Sequence, residues 1–342
     1  MSKLTIASDH QHFERDGKPF FWVGDTLWSA FTNPTFEEWE EYLEYRKAQG
    51  FNVIQINTLP QWDRVQPDLG IYPYPIREDG SMDYTAEPNM EYVKRAQKIL
   101  AMAVDKGFTP ALVVDWANMV PDNWLSNLFP THIWPLEAVE KHVRRVVEWY
   151  DRYDPIYFVS GDTDLRSEEA VKYYLRTIEI LKEEAPLALR TMHLCGGYLD
   201  LTQELADGLD FFIYQSGHHA DAINVVQKYA PELKKRFPGK PVLNAEPCYE
   251  AMPKMVEFGK PPIGFFEADE VYETGRLSVL SGANAGITYG ANGLWNWRRD
   301  PKRVEGPAAQ IWGATALWRD AMHLPGAARM ASLKEFAYPE EA

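Results

Sequence analysis

The chain has 342 residues, of which 45% are hydrophobic and 25% are charged, a balance typical of a folded globular protein. Its formal net charge is −15 at pH 7 and its lysines and arginines are scattered, which argues against nucleic acid or an anionic membrane surface as a partner. No apolar run approaches the roughly 20 residues of a membrane-spanning helix. The amino terminus lacks the features of a signal peptide, so the sequence as written predicts a cytoplasmic protein, or a secreted or periplasmic one if a signal has been removed.

Short apolar segments alternate with amphipathic ones along the chain. Residues 5–13 and 15–20 predict a hairpin, because Asp16-Gly17 is a turn signal. A helix is predicted at 35–49, where Thr35 and Glu38 have capping-box spacing. Further predicted helices are at 90–106, 136–150, 167–184, 220–237, 268–281 and 308–322, and predicted strands are at 20–23, 52–57, 109–114, 156–159, 189–194, 209–214, 240–246 and 285–289.

Eight strands that alternate with helical segments predict an α/β fold of the (β/α)8 or TIM-barrel type, with an N-terminal β-hairpin and long βα loops. An open doubly wound sheet would need a Gly-rich phosphate turn after its first strand, which this chain lacks. We predict a single domain over 1–342, with the hairpin at 1–19, the barrel at 20–325 and a C-terminal tail at 326–342. The segments 59–88 and 117–135 are predicted to form loops over the barrel mouth.

Two acidic residues lie at the ends of predicted strands on opposite sides of the barrel mouth. Glu246 lies in the segment KPVLNAEPCYE (residues 240–250), and Asp162 follows the fourth strand after a Ser-Gly break. Carboxyl ends of barrel strands carry the chemistry, and glycosidic bond cleavage needs two carboxyl groups that face each other across the substrate. We therefore predict Asp162 and Glu246 as the catalytic pair. Asp164 remains an alternative to Asp162, Glu250 an alternative to Glu246, and a purely structural role remains open for each.

Other polar and aromatic residues near strand ends are candidates for sugar binding. Asp25 and Asp115 suit either hydroxyl recognition or structural hydrogen bonds. Tryptophans after strands suit stacking on sugar rings, with Trp28 and either Trp295 or Trp297 as the first choices and Trp62 as a further candidate. The predicted substrate-binding set is Asp25, Trp28, Asn57, Asp115, Trp116, His193, Tyr214, Gln215, His218, Asn244, Glu250, Tyr289, Trp295 and Trp297.

The histidines permit a second interpretation. With Asp162 and Glu246, the side chains of His193, His218 and His219 offer N and O ligands at strand ends, as a metal-dependent sugar isomerase or epimerase would. No HxH or HxxxH pair lies on one face, and a hydrolase also needs histidines to bind hydroxyls, so this remains the alternative. A sugar-binding barrel without catalysis is disfavoured, because both acid positions are filled.

Four stretches carry a resemblance to a known family. They are FERDGKPFFWVGDTLW, VSGDTD, NAEPCYE and YGANGLWNW, and together they resemble the apiosidase-like catalytic domains of glycoside hydrolase family 140 over nearly the whole barrel. The resemblance implies a retaining glycosidase in which Asp162 is the acid/base and Glu246 the nucleophile. Most of the wider clan has Asn-Glu after the fourth strand, whereas this chain has Gly161-Asp162, as the apiosidase-like group does.

These features predict an exo-acting, retaining glycoside hydrolase. It would release a terminal sugar, such as apiose or another pentose, from plant-type glycosides or oligosaccharides by double displacement. The expected partner is the carbohydrate or glycoside itself, with no metal and no cofactor. The two cysteines, Cys195 and Cys248, are read as buried thiols rather than a disulfide or a zinc site. The oligomeric state is left open, a homo-oligomer included.

Overall fold

The computed structural model of the protein describes residues 3–60, 69–257, 260–300 and 316–337. Three short antiparallel strands open the chain, β1 (Thr5–Ile6), β2 (Phe13–Arg15) and β3 (Lys18–Phe20). The β2–β3 turn at Asp16 and Gly17 has φ of 54° and 70°, which these residue types tolerate. Phe13 is buried, and its ring packs edge-to-face against that of Phe211 with ring centroids 5.0 Å apart. This sheet therefore covers the amino-terminal end of the barrel. The predicted N-terminal hairpin is confirmed.

Eight parallel strands then form the centre of the molecule. They are β4 (Trp22–Thr26), β5 (Val53–Asn57), β6 (Thr109–Trp116), β7 (Ile156–Gly161), β8 (Arg190–Thr191), β9 (Phe212–Gln215), β10 (Val242–Glu246) and β11 (Gly286–Tyr289). Their spatial order is β8-β7-β6-β5-β4-β11-β10-β9. Main-chain bonds from Asp210 N to Arg190 O at 2.9 Å and from Gly197 N to Gln215 O at 3.0 Å link the two end strands. The sheet is thus a nearly closed barrel, and the predicted (β/α)8 fold is confirmed.

Helices separate the strands and cover the barrel. The α1 helix begins at the predicted capping box, in which Thr35 and Glu38 satisfy each other's backbone N–H groups. None of the described helices is long and apolar enough to cross a membrane. The described helices are α1 (Phe36–Gln49), α2 (Met90–Asp105), α3 (Trp124–Leu128), α4 (Leu136–Tyr150), α5 (Glu168–Glu184), α6 (Gln203–Gly208), α7 (Ala222–Val225), α8 (Tyr229–Arg236), α9 (Ala268–Leu280), α10 (Trp318–Met322), α11 (Gly326–Ala331) and α12 (Lys334–Ala337), with 3₁₀ turns at Ala117–Met119, Pro130–His132, Asp151–Tyr153 and Val226–Lys228.

The carboxyl-terminal part differs from the prediction. The tail predicted from residue 326 contains α11 and α12, and Met330 and Leu333 are fully buried. Gly275 of α9 makes this possible, because a Cβ there would lie only 2.5 Å from Met330 Sδ. Of the helix predicted at 308–322, the part Trp318–Met322 is helical (α10), and residues 301–315 lie outside the described part of the chain.

Candidate active site

Glu246 lies at the end of β10, where the strand register changes. Asn244 pairs with Tyr214 of β9, whereas Glu246 pairs with Gln215, the very next residue. One strand therefore accommodates an extra residue, Ala245, which is the definition of a β-bulge.

The bulge decides which way the carboxylate points. Side chains two residues apart on a regular strand face the same side, and Asn244 faces the helix layer, where its Nδ2 donates to Ser278 Oγ of α9 at 3.1 Å. The bulge instead turns Glu246 into the barrel mouth. Gln55 of β5 supports this geometry from inside the barrel, because its Nε2 donates to the Ala245 carbonyl oxygen at 3.1 Å.

Three side chains converge on the carboxylate of Glu246. Gln215 Nε2 donates to Oε1 at 3.0 Å, and His218 Nε2 lies 3.2 Å from the same oxygen. His193 Nε2 lies 3.2 Å from Oε2. Burial alone would raise the pKa of Glu246, but hydrogen bonds from the two imidazoles outweigh it and lower this pKa to about 2. Glu246 is therefore an ionised, firmly held carboxylate at neutral pH.

Each of these two histidines is held in one tautomer. The backbone N–H of Asp162 donates to His193 Nδ1 at 3.2 Å, and the backbone N–H of Tyr249 donates to His218 Nδ1 at 3.3 Å. A nitrogen that accepts from an N–H carries no proton itself, so the proton of each neutral ring is on Nε2. Both rings therefore present N–H donors to Glu246.

Asp162 directly follows β7 and has left-handed backbone geometry, with φ of 55°. Aspartate is among the residues that tolerate this region. The preceding Gly161 admits the ring of Trp116, because a Cβ there would lie 2.2 Å from that ring. Trp124 of α3 closes over the turn and donates its Nε1–H to the Asp162 carbonyl oxygen at 2.7 Å. The turn that presents Asp162 is thus fixed from two sides by tryptophans.

Asp162 and its neighbour Asp164 have different roles in this turn. Asp164 accepts the backbone N–H of Trp124 at 2.7 Å and forms an ion pair with Arg166, so its carboxylate holds the loop together. Burial, together with the charge of Glu246, raises the pKa of Asp162 to about 7 against the opposing effect of His193. Asp162 therefore keeps its proton at pH values well above those at which an ordinary aspartic acid ionises.

Both carboxyl groups line one cavity of about 280 Å³ at the carboxyl ends of the strands. The neighbouring wall is aromatic, with Trp28 and Trp116 edge-to-face at 5.3 Å. The remaining lining residues are Trp124, Asp164, Arg166, Cys195, Gly196, Gln215, Gly217, His218, His219, Tyr249, Met252, Met255 and Trp295.

A family model for the apiosidase-like catalytic domain matches residues 7–340 of the chain. The chain belongs to the apiosidase-like family. It is therefore a glycoside hydrolase, and its substrate is a carbohydrate.

Solved structures with the same fold are also glycoside hydrolases by description. One described as a glycoside hydrolase has a TM-score of 0.77 and 23% identity, covering 98% of this chain and 74% of its own. A family 5 glycoside hydrolase from Bacteroides vulgatus has a TM-score of 0.79 and 22% identity, and the match covers 98% of this chain and 71% of that one. A family 5 mannosidase from Rhizomucor miehei has a TM-score of 0.66 and 12% identity, and the match covers 98% of this chain and 97% of that one. No curated protein matched the chain.

Two acids predicted to bind substrate do not line the cavity of this apiosidase-like domain. Asp25 is fully buried and forms an ion pair with Arg46 of α1 at 2.6 Å. Asp115 is also fully buried and accepts from Thr177 of α5 at 2.6 Å. Their strands continue past them, to residues 26 and 116 instead of the predicted 23 and 114, so each acid lies within its strand and faces the helices.

Glu250 and Tyr289 are a second correction, because they bind each other instead of lining the cavity. The Tyr289 hydroxyl donates to Glu250 Oε2 at 2.6 Å, and the same oxygen accepts the backbone N–H of Gly326 at 2.9 Å. Glu250 thus attaches α11 to the barrel, and it is not placed to act as a nucleophile.

Aromatic packing accounts for two more of the predicted residues. Trp297 is fully buried and stacks on Trp318 with ring centroids 4.6 Å apart, and Tyr214 packs on Tyr229 at 5.4 Å. Neither lines the cavity, because each ring fills the layer between strands and helices.

Two predicted asparagines also lie outside the cavity wall. Asn57 is buried and its Oδ1 accepts the backbone N–H of Leu59 at 3.3 Å. Asn244 supports the bulge, since its Oδ1 accepts the backbone N–H of Glu246 at 3.2 Å. His193 is placed behind Glu246 and acts on the carboxylate rather than forming part of the lining.

The remaining predicted residues, Trp28, Trp116, Gln215, His218 and Trp295, line the cavity. The three tryptophans are only 3–6% exposed, so each offers a small contact area rather than an open stacking face. The further platform candidate Trp62 lies outside the described residues.

Several lining residues were not predicted. Trp124 lies in the segment expected to form a mouth loop, and its position between Asn123 and Leu125 gave no chemical signal. Met252 and Met255 follow the catalytic strand but have no polar group that marks a site.

Proposed function

We propose that this glycoside hydrolase acts with retention of configuration, with Glu246 as nucleophile and Asp162 as acid/base. One observation carries the proposal: two carboxyl groups share a cavity, and their environments move the two pKa values in opposite directions, that of Asp162 to about 7 and that of Glu246 to about 2. Two carboxyl groups with such different pKa values supply one proton donor and one ionised nucleophile at the same pH.

The reaction would proceed in two displacements. In the first, the acid form of Asp162 transfers its proton to the glycosidic oxygen, while a Glu246 oxygen attacks the anomeric carbon and the bond to the leaving group breaks. In the second, ionised Asp162 removes a proton from water, the water oxygen bonds to the anomeric carbon, and the ester to Glu246 breaks. Both carboxyl groups return to their starting states.

The size of the cavity favours removal of one terminal sugar. At about 280 Å³ it lies just below the ~300–1,000 Å³ range of ligand pockets. The match to the apiosidase-like family supports apiose, or another pentose of similar size, as that sugar.

The test is hydrolysis of 4-methylumbelliferyl glycosides of apiose, arabinofuranose, xylose, galactose and rhamnose, with and without EDTA. We expect release from a pentoside at a rate that EDTA does not change. Proton NMR should show that the anomer formed first has the configuration of the substrate. A first-formed anomer of inverted configuration would contradict the covalent intermediate. A failure to cleave any of these glycosides would contradict the proposed sugar specificity.

The metal-dependent isomerase has weaker support from the geometry. A metal ligand must offer a lone pair, but Nδ1 of His193 and Nδ1 of His218 each accept a backbone N–H, and both Nε2 atoms face Glu246. No group of three or more His, Cys, Asp or Glu residues within the described chain has the arrangement of a metal site. Metal-dependent interconversion of free sugars, with no glycoside cleaved, would restore this alternative.

Replacement of His193 by alanine is expected to lower kcat/KM by about 10- to 100-fold, the value of a hydrogen bond to a charged group. The loss of a donor raises the pKa of Glu246, so the acidic limb of the pH profile moves to higher pH. His193→Gln retains an N–H donor on a side chain of similar reach and should recover most of the activity and the original limb. Equal losses in both variants, with an unmoved acidic limb, would contradict a role in positioning Glu246.

A further inference from the structure

The residues that line the cavity differ in how much of their surface is exposed. Trp28, Trp116 and Trp295 are 3–6% exposed, so the inner part of the cavity is closed on its aromatic side. Trp124 is only partly buried, and the side chain of Arg166 is 52% exposed, although both also line the cavity. These two residues therefore form the part of the lining nearest the opening, which we call the mouth wall.

The mouth wall adjoins Asp162. Trp124 Nε1 donates to the Asp162 carbonyl oxygen at 2.7 Å, and Arg166 forms an ion pair with Asp164, two residues further along the same turn. In the proposed mechanism Asp162 gives its proton to the oxygen of the leaving group, while Glu246 attacks the anomeric carbon from the opposite face of the sugar. The leaving group therefore lies on the side of the cavity that the mouth wall forms.

Trp124 is held in a fixed position by the turn and by its own helix. Its backbone N–H donates to Asp164 Oδ1 at 2.7 Å. The buried Asn123 caps α3, because its Oδ1 accepts the backbone N–H groups of Leu125 at 3.0 Å and Ser126 at 3.1 Å. A ring that is already immobilised loses little conformational entropy when a second ring packs against it. Trp124 is thus suited to be a stacking platform.

Arg166 adds hydrogen-bond donors to this platform. Asp164 contacts its Nε, and the other N–H groups of the guanidinium make no bond within the part of the chain that the structure describes. The hydroxyl groups of a sugar can accept from such donors, and the C–H groups on one face of its ring can pack on an indole. An apolar aromatic group would use the ring of Trp124 but would gain nothing from the guanidinium.

We propose that Trp124 and Arg166 form the subsite for a second sugar, which is the leaving group when the terminal sugar is cleaved. This rests on the proposed glycosidase function and narrows its substrates to terminal sugars that are linked to another sugar. The terminal sugar occupies the inner cavity, and the second sugar lies at the opening, stacked on Trp124 and hydrogen-bonded by Arg166. Both residues determine specificity and take no part in proton transfer.

The first test varies the leaving group on the terminal sugar that hydrolysis identifies. The substrates are its methyl glycoside, its phenyl glycoside and its disaccharides with xylose, arabinose or galactose as the second sugar. Relative to the methyl glycoside, Trp124→Ala should lower kcat/KM about tenfold for the phenyl glycoside and for the best disaccharide. Arg166→Gln should lower it about tenfold for the disaccharide alone, because a phenyl group has no hydroxyl to bind.

Two variants serve as controls. Trp124→Phe retains a ring but loses the N–H donor to Asp162, so it should keep most of the discrimination between leaving groups. Arg319→Gln removes an exposed arginine that is ion-paired with Glu41 and does not line the cavity, and it should change none of the three rates.

Three kinetic outcomes would overturn the subsite. Equal losses for all leaving groups in both Trp124 variants would show that Trp124 only supports the turn of Asp162. Equal losses for all leaving groups in Arg166→Gln would give Arg166 the same structural role. A loss for ring-shaped leaving groups in Trp124→Ala, with no effect of Arg166→Gln on the disaccharide, would assign the mouth wall to an aromatic aglycone instead.

The second test measures binding without bond cleavage. Glu246→Ala protein is run in native gels that contain arabinoxylan, arabinogalactan or pectin, beside the double variant Glu246→Ala/Trp124→Ala. We expect at least one polysaccharide to retard the single variant and the loss of Trp124 to abolish that retardation. Equal mobility of the two proteins in every gel would overturn the subsite. Failure of the wild type to cleave any glycoside counts against the proposed function alone, because retardation is measured independently.

Discussion

Replacing Glu246 with alanine is expected to lower kcat by about four to six orders of magnitude, as loss of a nucleophile does elsewhere. The variant lacks the oxygen that attacks the anomeric carbon, but the barrel should remain folded because the backbone of the bulge is held by the side chains of Asn244 and Gln55. The space left by the carboxylate can admit azide. With an activated glycoside, azide should restore turnover by a single displacement and yield a glycosyl azide of inverted configuration, which NMR identifies.

Glu250→Gln is the matched control for this variant. Glu250 is also a buried glutamate near the end of β10, but it binds Tyr289 and Gly326. Its replacement is expected to lower the thermal midpoint while kcat stays within about tenfold of the wild type. If instead the Glu250 variant lost activity and the Glu246 variant kept it, the assignment of the nucleophile would be reversed.

Replacing Asp162 with alanine should affect substrates according to their leaving groups. For a glycoside with a poor leaving group, kcat/KM is expected to fall by about 10²- to 10⁴-fold, the usual contribution of general acid–base catalysis. A 2,4-dinitrophenyl glycoside needs little proton transfer in the first step and should lose far less. Azide should now yield a glycosyl azide of retained configuration, because Glu246 still forms the intermediate and azide performs a second displacement.

The pH profile gives an independent reading of Asp162. The first step requires its acid form, so wild-type kcat/KM should fall as pH rises through about 7, where Asp162 loses its proton. The value of kcat/KM should also fall at low pH, where Glu246 gains a proton near its lowered pKa of about 2. Asp162→Ala should lack the alkaline limb and keep the acidic one. Asp164→Asn is the comparison, and loss of the alkaline limb there instead would transfer the acid/base role to Asp164.

The barrel could be predicted because its signals are local and repeated. Each strand is a short apolar run, each helix has a polar face, and α1 has its own capping box. The helices α11 and α12 were not predicted, since α11 depends on a contact distant in sequence, the approach of Met330 to Gly275. Such a fit between two surfaces leaves no periodic pattern in either segment.

The site could be predicted only in part, and the misses share one physical cause. A strand-end acid serves catalysis only if it faces the mouth, and sequence locates neither the last strand residue nor the side that it faces. Asp25 and Asp115 follow apolar runs just as Asp162 does, yet their strands continue and direct them to Arg46 and Thr177. The roles of His193 and His218 also depend on backbone donors that no motif reveals.

The bulge at Ala245 has a consequence for how such a protein can change over generations. Glu246 pairs with the residue next to the partner of Asn244, so deletion of Ala245 would leave the glutamate directly after Asn244 and still facing the opposite side, towards the barrel mouth. The bulge therefore absorbs a one-residue change in strand length without turning the nucleophile away from the substrate. Single-codon insertions or deletions at this point are thus expected to leave the direction of the catalytic carboxylate unchanged.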